Sequence, residues 1–101
     1  MGGTEFYTEG EGATIDEAFR NAVKEAEYQT GHGSYSGTIS EKSGDGFVLI
    51  PDSEWKGKHN PVAYARKLVD EQDERIFEKW GPAGAIKLDE GRWLFFGTAS
   101  S

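Results

Sequence analysis

The sequence contains no cysteine and no long apolar stretch. The lack of thiols excludes disulfide bonds and thiolate metal sites, and it agrees with a reducing compartment. The longest uncharged apolar runs, Phe47 to Ile50 and Trp93 to Phe96, are far shorter than the roughly 20 residues that a membrane-spanning helix needs. The sequence also does not begin with the basic segment and following apolar segment that are typical of a secretion leader. These absences predict a soluble, cytoplasmic protein that has no membrane partner.

Positive charge is also scarce. The 101 residues include 11 Lys and Arg against 18 Asp and Glu, which gives a net charge of −7. The imbalance is greatest in residues 1–30, where seven acids accompany two bases. Because binding to a nucleic-acid backbone needs cations, this composition argues against direct contact with DNA or RNA. Two interpretations of the acidity stay open: imitation of nucleic acid toward a basic partner, and ordinary solubility.

The first third of the chain is typical of a strand followed by an amphipathic helix. We predict a strand over residues 4–8, broken by Gly10 and Gly12. A helix over residues 13–29 follows, with Thr14 and Glu17 forming a capping box and Gly31 ending it. Its apolar residues recur at helical spacing and are Ile15, Ala18, Phe19, Ala22, Val23 and Ala26.

The middle of the chain predicts a hairpin and a second helix. Residues 38–40 and 47–50 have the pattern of two strands around a turn, and residues 52–59 then form an exposed connection around Trp55. Asn60 and Pro61 are typical of a helix start. Two outcomes stay open for this helix: it continues to Lys79, or the charged residues 70–74 interrupt it and a short helix ends at Gly81.

The last third predicts two more strands, and it completes the fold. Residues 81–84 form a sharp turn, residues 85–88 a strand, residues 89–91 a turn and residues 92–98 an aromatic strand. The predicted order is strand, helix, two strands, helix, two strands. We therefore predict a single α+β domain over residues 1–101, with two helices on one face of a mainly antiparallel sheet of about five strands.

The loop over residues 31–37 is the first candidate site. Gly31 is accounted for as a helix stop, but His32, Tyr35 and Ser36 are not. Glycines let backbone approach a ligand closely, and the imidazole and phenol side chains can hydrogen-bond to it. Two interpretations stay open, a structural loop and part of a binding surface.

A second candidate combines cations with aromatic rings. Arg75 and Lys79 would lie on one face of a continuous helix, where they compensate the helix dipole or bind phosphate. Trp80 belongs to the core or provides a ring for stacking on a base. Trp55, in the predicted loop, is a further candidate for stacking.

Other chemistry finds little support in the sequence. The two histidines, His32 and His59, lack metal-ligand spacing, and no strand-turn-helix nucleophile elbow is present. Residues 10–13 have the glycines of a phosphate loop, but neighbouring carboxylates would repel an anion there. We predict no catalytic residue, metal or cofactor, although hydrolysis by paired carboxylates stays open.

Several motifs together resemble a group of small accessory proteins encoded by tailed bacteriophages. They are the capped helix over residues 13–29, Gly31-His32-Gly33 leading into residues 35–39, Lys79-Trp80-Gly81-Pro82-Ala83-Gly84-Ala85, and Trp93-Leu94-Phe95-Phe96-Gly97. The resemblance implies an accessory protein acting in the cytoplasm of an infected bacterium. By analogy with phage proteins of this size, it implies a role against host defence.

Three functional hypotheses follow. The first is non-enzymatic capture of a nucleotide-derived immune signal in a pocket between subunits of a homo-oligomer, because a short chain has limited concavity of its own. The second is an acidic inhibitor that binds a host protein, and the third is an enzyme that degrades the signal. The ligand-binding residues predicted for the first are His32, Tyr35, Ser36, Trp55, Arg75, Lys79 and Trp80.

Overall fold

The computed structural model describes residues 3–30, 46–76 and 81–100. Within these ranges the chain forms a four-stranded mixed sheet and two α-helices. The strands are β1 Gly3–Glu11, β2 Phe47–Leu49, β3 Ala83–Asp89 and β4 Arg92–Ser100. The helices are α1 Ile15–Thr30 and α2 Pro61–Asp70, with a short 3₁₀ helix at Asp52–Glu54. The predicted α+β class is confirmed.

The sheet has the order β1-β4-β3-β2. The strand β4 lies between β1 and β3 and is antiparallel to both, whereas β2 runs parallel to β3. The predicted strand over residues 38–40, and with it the hairpin, lies outside the described residues. The described sheet therefore has four strands where about five were predicted. The short strand β2 lies at the edge opposite β1.

Both helices carry the N-terminal caps that the sequence predicts, although α1 begins at Ile15, two residues after the predicted start. The N–H of Glu17 donates to the Thr14 hydroxyl oxygen at 3.2 Å. The Asn60 side chain accepts from the N–H groups of Val62 and Ala63 at 2.9 and 3.4 Å, with Pro61 in the first turn. These caps satisfy N–H groups that have no partner within a helix.

The second helix ends at Asp70. Of the two outcomes left open, continuation to Lys79 is wrong and interruption at the charged residues 70–74 is confirmed. Gln72 has a positive φ of 54°, a conformation that a right-handed helix cannot contain. Residues 71–76 form turns instead. The predicted short helix ending at Gly81 would include residues 77–80, which lie outside the described ranges. As a result Arg75 belongs to a turn and not to a helix face.

The two helices lie on opposite faces of the sheet, which corrects the prediction of a single covered face. Phe95 packs in one core cluster with α1, while its neighbours Leu94 and Phe96 pack in a second cluster with α2. Because successive residues of a strand point to opposite faces, these clusters lie on the two sides of the sheet. The fold therefore has three layers, helix, sheet and helix.

The strands β1 and β3 are longer than predicted. Gly10 does not break β1, which continues to Glu11, and β3 begins at Ala83, inside the predicted turn. No helix among the described residues is long and apolar enough to cross a membrane.

Candidate functional site

The structure describes two of the seven predicted ligand-binding residues. These two are Trp55 and Arg75, and the structure places each of them in contacts that the sequence did not predict. Five predicted residues lie outside the described ranges, so their convergence stays a prediction. They are His32, Tyr35, Ser36, Lys79 and Trp80.

Trp55 is buried, so the prediction of an exposed tryptophan is wrong. Only 8% of its surface is accessible, and it packs in the α2 cluster with Ile50 and Leu68. Its backbone carbonyl accepts from the N–H of His59 at 2.9 Å, which tightens the turn around it. The indole Nε1 has no hydrogen-bond partner within the described part of the chain. In this arrangement most of the ring belongs to the core, and its accessible part contributes to the lining of a small groove with Lys56 and Lys87.

Arg75 is held by two carboxylates. Its Nε and Nη2 donate to Asp73 at 2.8 and 3.0 Å, and its Nη1 and Nη2 donate to Glu54 at 2.7 and 3.1 Å. Such bidentate pairs are among the strongest hydrogen bonds in proteins. Two negative charges therefore surround one positive charge, which opposes the binding of a phosphate at this position.

The ionisation of this group follows from its geometry. The carboxylates of Asp73 and Glu54 raise the pKa of Arg75, while the Arg75 guanidinium lowers the pKa of each carboxyl below its ordinary value. The Tyr64 hydroxyl donates to Glu54 at 2.9 Å. That hydrogen bond raises the pKa of Tyr64, with burial as a second cause. The cluster joins the 3₁₀ helix, α2 and the following turn, and we assign it a structural role.

A groove lies between β1 and α1 on the other side of the molecule. It has a volume of about 420 Å³. We call it the acidic groove, because three of its lining residues carry carboxylates; the lining residues are Glu9, Gly10, Glu11, Asn21, Ala22 and Glu25.

The close approach of α1 to β1 shapes the acidic groove. A Cβ atom on Gly10 would collide with the Ala18 carbonyl and lie 2.8 Å from the Phe95 ring, so only glycine permits this spacing. Farther along the helix, the Asn21 side chain donates to the Glu11 carbonyl at 2.8 Å. The glycine that we expected to end the strand instead brings the helix onto it.

The electrostatics of the acidic groove are dominated by negative charge. Arg92 binds Glu9 at 2.6 Å, and this carboxylate raises the pKa of Arg92. Glu11 and Glu25 are exposed and have no ion pair among the residues that the structure describes. Unpaired carboxylates attract cationic groups.

The alternation of acidic residues along β1 is a sequence signal for an acidic strand edge. Their side chains point to the α2 face of the sheet, because Glu9 lies opposite Leu94 of the α2 cluster. Glu5, Glu9 and Glu11 occupy odd-numbered positions, and side chains at alternate positions of one strand share a face. Because the strand was predicted to end at residue 8, this alternation was not recognised.

Two further observations limit the chemistry. A smaller groove of about 280 Å³ is lined by Trp55 and by both acidic and basic side chains, including Asp52, Lys56 and Lys87. In the described portion of the chain, no three His, Cys, Asp or Glu side chains lie close enough to hold a metal ion.

Comparison with known proteins found no matching family model, no matching curated protein and no matching solved structure. The resemblance to phage accessory proteins therefore stays a prediction, and a function has to be inferred from the geometry of the chain itself.

Proposed function

We propose that this chain is a non-enzymatic binding protein that uses its acidic groove to engage a basic partner. The observation that supports the proposal is that three acidic residues, Glu9 and Glu11 of β1 and Glu25 of α1, all contribute to the lining of one groove at the outer edge of the sheet. This corresponds to the second hypothesis from the sequence, an acidic inhibitor that binds a host protein. A partner rich in Lys and Arg complements such a surface, and its association is steered by charge.

The arrangement of the described residues favours this function over nucleotide capture. Arg75 is already paired with two carboxylates, and only 8% of the surface of Trp55 is accessible, so the cation expected for a phosphate is neutralised and most of the ring expected for a base is covered. The acidic groove would repel a phosphate.

A salt-dependent binding assay tests the proposal. Fluorescently labelled polylysine is titrated with the protein at low and high ionic strength, and we expect binding that weakens steeply as salt increases. The groove variant combines Glu9→Gln, Glu11→Gln and Glu25→Gln. The control variant combines Asp52→Asn, Glu71→Gln and Glu74→Gln, which are exposed residues away from the groove, and it changes the net charge equally.

We expect the groove variant to bind polylysine about tenfold more weakly than the control variant. An equal loss in both variants would show that only net charge matters, and it would contradict the proposal. Capture of a host protein from bacterial lysate, repeated at both ionic strengths, would then identify a natural partner.

Capture of a nucleotide signal stays a prediction that depends on His32, Tyr35, Ser36, Lys79 and Trp80. Calorimetric titration with cyclic dinucleotides, cyclic trinucleotides and cyclic ADP-ribose isomers tests it, and the absence of heat from all of them would end it. Recovery of an intact ligand after heat denaturation of the protein would distinguish capture from degradation.

A further inference from the structure

The strand β1 has an open outer edge in the part of the chain that the structure describes. It pairs with β4 along all nine of its residues. No described strand lies on its other side, because the sheet order begins with β1. An unpaired edge of this length presents a row of backbone donors and acceptors to a partner.

The direction of the backbone groups follows from two hydrogen bonds at the end of the strand. The Gly12 N–H donates to the Gly91 carbonyl at 3.0 Å, toward β4. The Glu11 carbonyl instead accepts from Asn21, away from β4. Since successive residues direct their backbone groups to alternate edges, the odd-numbered residues face outward. The outward N–H and carbonyl groups of Glu5, Tyr7 and Glu9 have no hydrogen-bond partner among the described residues.

Charge beside the edge selects the kind of segment that can pair with it. The side chains of Glu5, Glu9 and Glu11 are exposed and project from one face of β1, because they occupy alternate positions. An added strand would lie about 4.8 Å away. Its own alternate side chains would then stand beside these carboxylates. Glu9 already pairs with Arg92, so Lys or Arg would chiefly complement Glu5 and Glu11.

A second copy of this chain is a poor occupant of the same edge. Antiparallel pairing of two β1 strands centred on Tyr7 would place each Glu5 opposite the Glu9 of the other copy. Like charges directly opposite each other destabilise a strand pair. The charges therefore favour a basic segment of a different protein.

We infer that the outer edge of β1 binds an extended basic segment of a partner protein as an added strand of the sheet. The inference rests on the proposed function and specifies its binding mode. Backbone hydrogen bonds to Glu5, Tyr7 and Glu9 supply affinity, and the flanking carboxylates select Lys and Arg.

A pair of peptides with equal charge tests this binding mode. The first is a blocked peptide of alternating lysine and threonine, matched in length to β1. The second has the same sequence with N-methyl groups on the amides that would donate to the edge. Binding of both labelled peptides to the full chain is measured by fluorescence anisotropy at low ionic strength. We expect the methylated peptide to bind at least about tenfold more weakly, since it loses backbone hydrogen bonds.

Two protein variants provide a second test. Glu5→Pro removes an outward N–H without removing a bond to β4, whereas Glu5→Gln removes only the charge. We expect Glu5→Pro to bind the unmethylated peptide more weakly than Glu5→Gln does, with both folded by circular dichroism. If Glu5→Pro does not fold, the peptide pair still decides the question.

The possible failures are distinguishable. Equal, salt-sensitive binding of both peptides would overturn strand addition and leave the proposed function intact. A lack of binding by both peptides and by polylysine would overturn both proposals. Dimerisation that Glu5→Pro abolishes in analytical ultracentrifugation would assign the edge to a second copy, and it would also overturn the inference.

Discussion

The Arg75 guanidinium binds the Glu54 carboxylate through two hydrogen bonds of 2.7 and 3.1 Å, and it thereby connects the turn after α2 to the 3₁₀ helix that precedes it. The two residues are 21 positions apart in the sequence. Both side chains are about one-third exposed, at 32% and 31%, so solvent weakens the pair without abolishing it.

Arg75→Gln is expected to destabilise the protein by about 1–2 kcal/mol, because it leaves two partly buried carboxylates without their cation. Chemical denaturation would measure the change in the free energy of unfolding. The control is Lys58→Gln at an exposed position, which should change it by less than about 0.5 kcal/mol. Equal effects of the two substitutions would contradict the structural role of the cluster.

The Arg75 cluster should also make stability depend on acid pH. The pKa values of Glu54 and Asp73 lie below their ordinary values of 4.5 and 3.8. Their ionised forms therefore stabilise the fold above those values, and this stabilisation is lost as the pH falls through the lower folded-state values. Thermal unfolding between neutral pH and pH ~2 should show this loss. The loss should be smaller in Arg75→Gln, and an unchanged acid profile in that variant would argue against the assignment.

Gly10→Ala is expected to destabilise the protein by about 2–3 kcal/mol, since its Cβ would overlap the Ala18 carbonyl and the Phe95 ring. The control is Gly57→Ala, where a Cβ meets open space but the φ is +86°. Backbone strain alone should cost that variant about 1 kcal/mol. Denaturation of both variants would separate crowding from strain, and a cost at Gly10 no greater than that at Gly57 would contradict the close packing of α1 on β1.

Substitutions on opposite faces of the sheet should act independently. Phe19 and Phe95 have ring centroids 5.3 Å apart in the α1 cluster, so Phe19→Leu and Phe95→Leu should show a coupling energy of about 0.5–1.5 kcal/mol. Phe19→Leu combined with Leu68→Ala should be additive within about 0.5 kcal/mol, because Leu68 belongs to the other cluster. Strong coupling in the second pair would contradict the three-layer arrangement.

Local signals in the sequence predicted the helices well. Thr14 and Asn60 have short polar side chains that cap a helix. The apolar residues that follow each cap recur at helical spacing, and both signals involve only residues close in the sequence. The end of α2 was harder to predict because the charged residues 70–74 are compatible with both a helix and a turn.

The placement of the two helices was not predicted because it depends on contacts between distant segments. The continuous apolar run from Trp93 to Phe96 does indicate a strand covered on both faces, whereas we expected a strand with one buried side. The role of Gly10 was missed for a related reason, since a glycine inside a strand indicates either a break or the close approach of another element. Only the position of α1 distinguishes the two.

The candidate site was predicted from residue chemistry without knowledge of partners. The prediction treated Arg75 as an unpaired cation and Trp55 as an exposed ring. In the fold Arg75 forms an ion pair with Glu54, and Trp55 packs in the α2 cluster. Neither contact follows from local spacing, because Glu54 lies far from Arg75 in the sequence.

The position of β4 has a consequence for folding during synthesis. The register of β1 with β4 sets Gly3 opposite Ser100, so β1 gains its ladder only after the ribosome has made β4. Until then α1 has no completed sheet to cover, and the aromatic rings of β4 are still missing from both cores. Pairing between such distant segments is slow to form. A chaperone that shields the nascent strand β1 should therefore increase the yield of folded protein.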